Sequence, residues 1–317
     1  LPIYPEGTGR LIPKSARIRT NMHYHTYGEP ATDQSRIGLY FADAEPAKAI
    51  NGQFAGTINF QIPAHAADYR VDARYLVDED IQIVSFFPHM HTRGKSMTYT
   101  ATYPDGRRET LLNVPQYDFN WQWFYYPEEP VTLPEGTILY IEAHYDNSAN
   151  NPNNPDPTAN VVFGEDTYSE MMFGAFEFVP VEGQHPKPIN ITQKLDRVLA
   201  TYDPESAFNV TADLGAIQLP SGFVLPDEGD GVWYFPFGRQ LYEIPLTNIQ
   251  WNGESFDADV MLLGQGRIVM RGAVAEDGTV HGTFDIGEFD MTQVGGGLEL
   301  NGFTGTRFAD AAQQRSD

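Results

Sequence analysis

A period of two runs through almost the whole chain: apolar and polar residues alternate over short stretches that Gly, Pro, Asn and Asp interrupt. "DIQIVSFF", "SMTYTATYPDGRRETLL", "FNWQWFYY", "TILYIEAHYD" and "MMFGAFEFVP" follow this habit, as do "ARIRTNMHYH" and "RIGLYFA" nearer the start. Such stretches make strands with one buried face. In "YPDGRRE", Tyr103–Glu109, a Pro-Asp-Gly turn joins two of these runs and predicts a hairpin. Helix signals are few. The best is "NITQKLDRVLATYDP", Asn190–Pro204, with Ile191, Leu195, Val198 and Leu199 at helical spacing after the "GQHPKP" linker. The fold class is therefore all-β.

Past the linker, short runs such as "GVWYFPFGRQLYEIPLTNIQW" and "DADVMLLGQGRIVMRGAVAEDGTVHGTFDIG" are punctuated by Gly-rich and Asp-Gly turns. This predicts a small antiparallel β-barrel or curled sheet. It carries no chemistry-bearing constellation, and His281 there reads as a structural or surface residue. With 317 residues, 41% of them hydrophobic, the chain can fill two or three domains of about 100–200 residues each.

Charge and cysteine usage exclude several functions. Twenty Lys and Arg stand against 43 acidic residues, a net charge of -23, and from Glu109 to Gln184 there is no Lys or Arg. Such a surface repels nucleic acid and anionic lipid headgroups. No cysteine is present, so disulfides, thiolate catalysis and Cys-ligated metals are excluded within the chain. No apolar run reaches the ~18–20 residues of a membrane-spanning helix. The opening, "LPIYPEGTGRLIPKSARIRT", reads like the middle of a folded region, which predicts an upstream segment.

Metal ligands must then come from His, Met or oxygen. Of the eight histidines, two pairs have i, i+2 spacing on strand-like sequence: His23 and His25 in "MHYH", His89 and His91 in "HMH". Strand geometry sets each pair on one face, close enough to share an ion. Imidazoles suit Cu, Zn, Fe or Ni, and an added thioether selects copper, above all Cu(I). Met171 and Met172 open an apolar run and point to opposite faces; both also read as core residues. His65 and His185 read as surface residues, and the Asn/Pro run after His144 as a rigid loop or, with Asp146 and Asp156, a calcium site.

From about Arg19 to Val179 the chain resembles the copper type II, ascorbate-dependent monooxygenases (peptidylglycine α-hydroxylating and dopamine β-monooxygenase-like), in a bacterial branch. The phrases that carry this are "PHMHTRGKSMTYTATYPDGRRETLLNVPQYDFNWQWFY", "LPEGTILYIEAHYDNSANNPNNPDP" and "VVFGEDTYSEMM". The resemblance implies a jelly-roll β-sandwich and O2-dependent C–H hydroxylation in a periplasmic or extracellular setting. It further implies an oxygen-binding copper held by His89, His91 and Met171, with Met172 as the alternative. His23 would belong to a second, electron-storing copper whose remaining ligands lie upstream. His25 has no assigned role, and His144 reads as a supporting residue. Ascorbate or another donor would supply electrons.

The expected organisation follows. Residues 1–43 are the final strands of a first jelly roll, completed by an upstream segment or a partner chain. Residues 44–182 are a complete second one, 183–204 a linker with a short helix, 205–312 the barrel-like domain and 313–317 a tail. Phe87 stands where peptide-hydroxylating relatives place an Arg that holds a substrate carboxylate, so an anionic anchor is not expected. The rival reading is a non-catalytic structural or accessory subunit of a larger periplasmic or surface assembly, keeping the same fold.

Overall fold

In the computed structural model, residues 4–18, 20, 22, 24, 28–215, 217–263, 266–287 and 299–309 are described. The strands are, in order, β1 (Thr8–Gly9), β2 (Lys48–Ala49), β3 (Asn51–Thr57), β4 (Gln61–Ile62), β5 (Tyr69–Leu76), β6 (Ile81–His89), β7 (Gly94–Thr102), β8 (Arg108–Val114), β9 (Val131–Leu133), β10 (Ile138–Tyr145), β11 (Val161–Val162) and β12 (Met172–Pro180). A helix α1 (Ile191–Leu199) leads to β13 (Ala207–Asp213), β14 (Gln218–Val224), β15 (Gly231–Phe237), β16 (Gln240–Trp251), β17 (Ser255–Leu262), β18 (Gly266–Val274), β19 (Thr279–Asp285) and β20 (Gly302–Arg307). Among the described residues the fold is all-β apart from this helix and a helical turn at 308–309.

Two four-stranded antiparallel sheets, β3-β12-β6-β9 and β5-β10-β7-β8, face each other. Alternation fixes what each contributes. On β10, Leu139, Ile141, Ala143 and Tyr145 turn inward and are fully buried, while Glu142 and His144 turn out. The first sheet answers with Ile83, Phe86, Phe176 and Phe178, and each buried Phe stabilises by about 1.5–3 kcal/mol. Phe86 meets Tyr99 edge-on at 5.2 Å, and the Tyr99 hydroxyl donates to the Ala175 carbonyl across the sandwich at 3.1 Å. The Pro-Asp-Gly hairpin forms between β7 and β8, with Gly106 at φ +84° closing the turn on the Tyr103 carbonyl.

The N-terminal stretch differs from expectation. Between Gly9 and Lys48 the described residues form no strand, and Ile18, Ile37, Tyr40 and Phe41 stay exposed. A period of two permits a strand but does not supply the neighbouring edge with which its backbone must pair.

The second half is a closed eight-stranded barrel, β13 through β20 in sequence order, shut by β13 against β20. Phe208, Phe223, Trp233, Phe256 and Phe303 fill it. The Trp233 indole N–H donates to the Ser221 hydroxyl at 2.6 Å, which donates to the Tyr234 carbonyl, so both of these buried side chains are paired. Asn190 caps α1 by accepting from the Gln193 amide at 3.0 Å, and Leu195 and Leu199 pack on the barrel. Sandwich and barrel meet where Arg239 pairs with Asp78 and Glu79 and the Gln240 amide donates to the Gly56 carbonyl at 2.9 Å.

Candidate metal centre

The stretch that ends β6 shows why the His-x-His spacing works. Pro88 and Met90 point into the sandwich and are buried, so His89 and His91 fall together on the outer side, His89 part-exposed and His91 covered to 5% exposure. Their ring centroids lie 5.3 Å apart, nearly perpendicular at 83°. Tyr117 pins the residue between them: its hydroxyl donates to the Met90 carbonyl at 2.6 Å and accepts from the Met90 amide at 3.1 Å.

Both rings are held through Nδ1. The Ser169 carbonyl lies 3.0 Å from His91 Nδ1, and a carbonyl can only accept, so that nitrogen carries the proton and the lone pair resides on Nε2. For His89 the logic takes one more step. The Gln122 amide nitrogen donates to the Phe119 carbonyl at 2.9 Å, which turns Oε1 toward His89 Nδ1 at 2.6 Å. Again Nδ1–H is the donor and Nε2 the basic nitrogen. A metal-binding imidazole is oriented in this way, with the second nitrogen tied to an oxygen acceptor.

Gln122 arrives by register. Phe86 exchanges both backbone bonds with Tyr125, so the chain before Tyr125 runs antiparallel beside β6 and sets Phe124 opposite Phe87 and Gln122 opposite His89. The "FNWQWFYY" run thus makes a single bridge rather than a full strand.

On the other flank, β12 pairs with β6 so that Phe173 lies across from His89, their rings stacked at 6.4 Å. Alternation then sorts the two methionines. Met172 is fully buried in the core, and Met171, two residues before Phe173, falls on the face of Phe173 and His89. The Met171 carbonyl is anchored by the Tyr145 hydroxyl at 2.8 Å.

Next to Met171 in the chain, Glu170 is fully buried. Its carboxylate accepts from the His91 amide at 2.8 Å and the Arg93 amide at 2.7 Å, tying the His91 segment to the Met171 segment. Burial pushes this carboxyl up to about 7, against the pull of the amide donors and Arg93. Arg93 is itself buried, donating to Asn147 Oδ1 at 2.8 Å and the Tyr168 carbonyl at 2.7 Å. Burial lowers its guanidinium from the ordinary value. Asn147 in turn donates to the carbonyls of Pro63 and Ala159.

The remaining candidates lie elsewhere. His144 is on the outer face of the opposite sheet, its ring between Asp68 at 3.0 Å and Glu142 at 3.3 Å. Asp146 and Asp156 accept from the Ser148 and Thr158 amides, closing turns within a rigid loop. His281 is exposed on β19. His23 and His25 lie outside the described residues. Among the described residues no three His, Cys, Asp or Glu side chains converge as a metal group. The candidate set of His89, His91 and Met171 would count a thioether as its third donor and so falls outside that grouping.

Sequence reasoning missed Gln122, Glu170 and Arg93. Two of them stand beside residues already singled out, Glu170 before Met171 and Arg93 in "HMHTR". No family model and no curated protein matches the chain.

Proposed function

We propose that the protein is a copper-dependent monooxygenase-like oxidoreductase, with one copper held by His89, His91 and Met171. The observation that carries the reading is that His89 and His91, with ring centroids 5.3 Å apart, are each held through Nδ1 by an oxygen acceptor. Two imidazoles and a thioether suit Cu(I), and copper so bound supplies O2 activation for C–H hydroxylation. The chain's own part is positional. Gln122 and the Ser169 carbonyl hold the ring tautomers, and Glu170 fixes the spacing of the His and Met segments. The strand order supports a jelly-roll reading: the eight strands of the two four-stranded sheets, lettered B to I along the chain, fall as B-I-D-G and C-H-E-F. Electrons come from ascorbate or a redox partner. A periplasmic or extracellular location rests on the family resemblance.

The test is Cu(I) competition with bicinchoninate under anaerobic ascorbate, paired with ascorbate-dependent oxygen consumption. One Cu(I) per chain is expected, with Met171→Leu weakening Cu(I) at least tenfold. Stoichiometric copper in a His89→Ala/His91→Ala double variant would sink the assignment.

A second reading, an accessory subunit of a larger assembly, is favoured by the exposed Leu11, Ile12, Ile18, Tyr40 and Phe41, an apolar surface of the kind partners cover. Isolation as a stable complex without bound copper would select it.

A further inference from the structure

Where the outer face of β6 approaches the histidines, it is built from aromatic rings. Phe87 stacks on the His89 imidazole at 6.1 Å and 10°. Phe124, brought by the Tyr125 bridge, stacks on Phe87 at 4.7 Å. Ala175 pairs with Phe87 on one side and Phe54 on the other, and Phe54 packs on Phe173 at 4.9 Å. Phe124, Phe87, Ala175 and Phe54 thus form one row across the sheet, and Gln122, His89 and Phe173 form the next. Phe54, Phe87, Phe173 and Ala175 are part-exposed, and Phe124 is 37% exposed.

Charge is kept off this row. The next outward pair is Ser85 and Glu177, and Glu177 is buried, bonded to the Ser85 hydroxyl at 2.7 Å and ion-paired with Arg10. The Arg93 side chain turns away, toward Asn147 and Tyr168. Among the described residues the cation next to the row is Arg10, already paired with Glu177, so an anion laid on the rings would lose water for little return, and a cation would find Glu177 taken.

The geometry points to this row as the binding surface for an uncharged, apolar substrate, with Phe87 its central, specificity-determining residue. The inference rests on the copper reading for its role in reaction, since His89 is part of the same stack. A molecule lying on Phe87 presents its C–H bonds beside the ligand set. Binding itself does not require the metal, which separates the two tests.

N-Phenyl-1-naphthylamine fluorescence on the metal-free full chain probes the row, against 8-anilinonaphthalene-1-sulfonate, which has the same rings plus a sulfonate. One saturable neutral-probe site per chain is expected, with at least tenfold weaker binding of the sulfonate. Phe87→Asp should weaken the neutral probe at least tenfold, and Phe124→Ser, at a more exposed position, at least threefold with an unchanged circular dichroism spectrum. Phe41→Ser, in the exposed N-terminal stretch, should change nothing. In copper-loaded, oxidised protein the neutral probe should alter the Cu(II) electron paramagnetic resonance spectrum. Unchanged probe affinity in both row variants, or equal affinity for the two probes, overturns the inference. So does a sedimentation result in which the wild type is a dimer that Phe87→Asp dissociates, because a second copy would then be the occupant. Absent copper binding with the expected probe behaviour refutes the metal reading alone.

Discussion

At the scale of single residues, the histidine pair depends on groups that never face the ligand position. Glu170 receives two backbone amides, from His91 and Arg93, in the interior. Glu170→Gln keeps the shape but replaces one acceptor oxygen with a donor NH2 that confronts an amide N–H. Hydrogen bonds to charged groups contribute about 1.5–3 kcal/mol each, and an unpaired buried donor costs about 1–3 kcal/mol more. Glu170→Gln should therefore lose roughly 2–4 kcal/mol in urea unfolding and weaken Cu(I) binding. A variant as stable as the wild type would show that the clamp is ornamental. Gln122→Ala should act differently. It removes only the acceptor that turns His89, so copper affinity falls about 10–100-fold with little change in stability. Equal affinity in isothermal competition would contradict the tautomer argument.

At the scale of elements, register decides which residues meet. Gly174 on β12 lies where a Cβ would come within 2.7–3.0 Å of three Ile141 side-chain carbons on the facing sheet. Gly174→Ala should cost about 1–3 kcal/mol by overpacking, and Ile141→Val in the same chain should recover part of it. A double-mutant cycle from denaturant melts reads the coupling, and simple additivity would deny the contact. The strand-like run before Pro88 and the His-x-His spacing made β6 and the shared face of His89 and His91 legible from sequence, but not which face, because a bulge between Ile83 and Ser85 shifts the alternation. The same rule separated Met171 from Met172 once the register against His89 was known. Gln122 and Glu170 were not legible, because they reach the histidines through pairings between segments 33 and 79 residues apart. The N-terminal runs show the converse. A period of two states what a chain does beside a free edge, and it is silent on whether an edge is there.

At the scale of the whole molecule, the sandwich and barrel are joined through charge buried between them. Glu79 is buried, accepting from the Lys187 amide and paired with Arg239, which also reaches Asp78 at 3.0 Å. Lys194 on α1 is 3% exposed. Its ammonium donates to the Arg239 carbonyl at 2.5 Å and lies 4.4 Å from the Tyr75 ring centre. Burial pushes this amine down to about 8, with Asp78 opposing the shift and Arg239 adding to it. The same burial, with the Asp78 charge, raises the Tyr75 phenol, which stays neutral throughout this range. The consequence for pH runs opposite to that of a paired lysine. Below about 8 the amine is charged in both folded and unfolded chains, and the full cost of burying that charge is present. Between about 8 and the ordinary 10.5 the folded chain releases its proton first, so the unfolded state binds more protons and stability rises with pH. The rise totals roughly 3 kcal/mol at 1.36 kcal/mol per pKa unit. Lys194→Met removes the titrating group, so its urea midpoints should lack this rise between pH 8 and 10, while the wild type gains on the variant with each step. Tryptophan fluorescence follows the transition, since Trp233 and Trp251 report on the barrel. Parallel pH profiles for the two proteins would mean that the amine is solvated and that the domains part more freely than this packing implies.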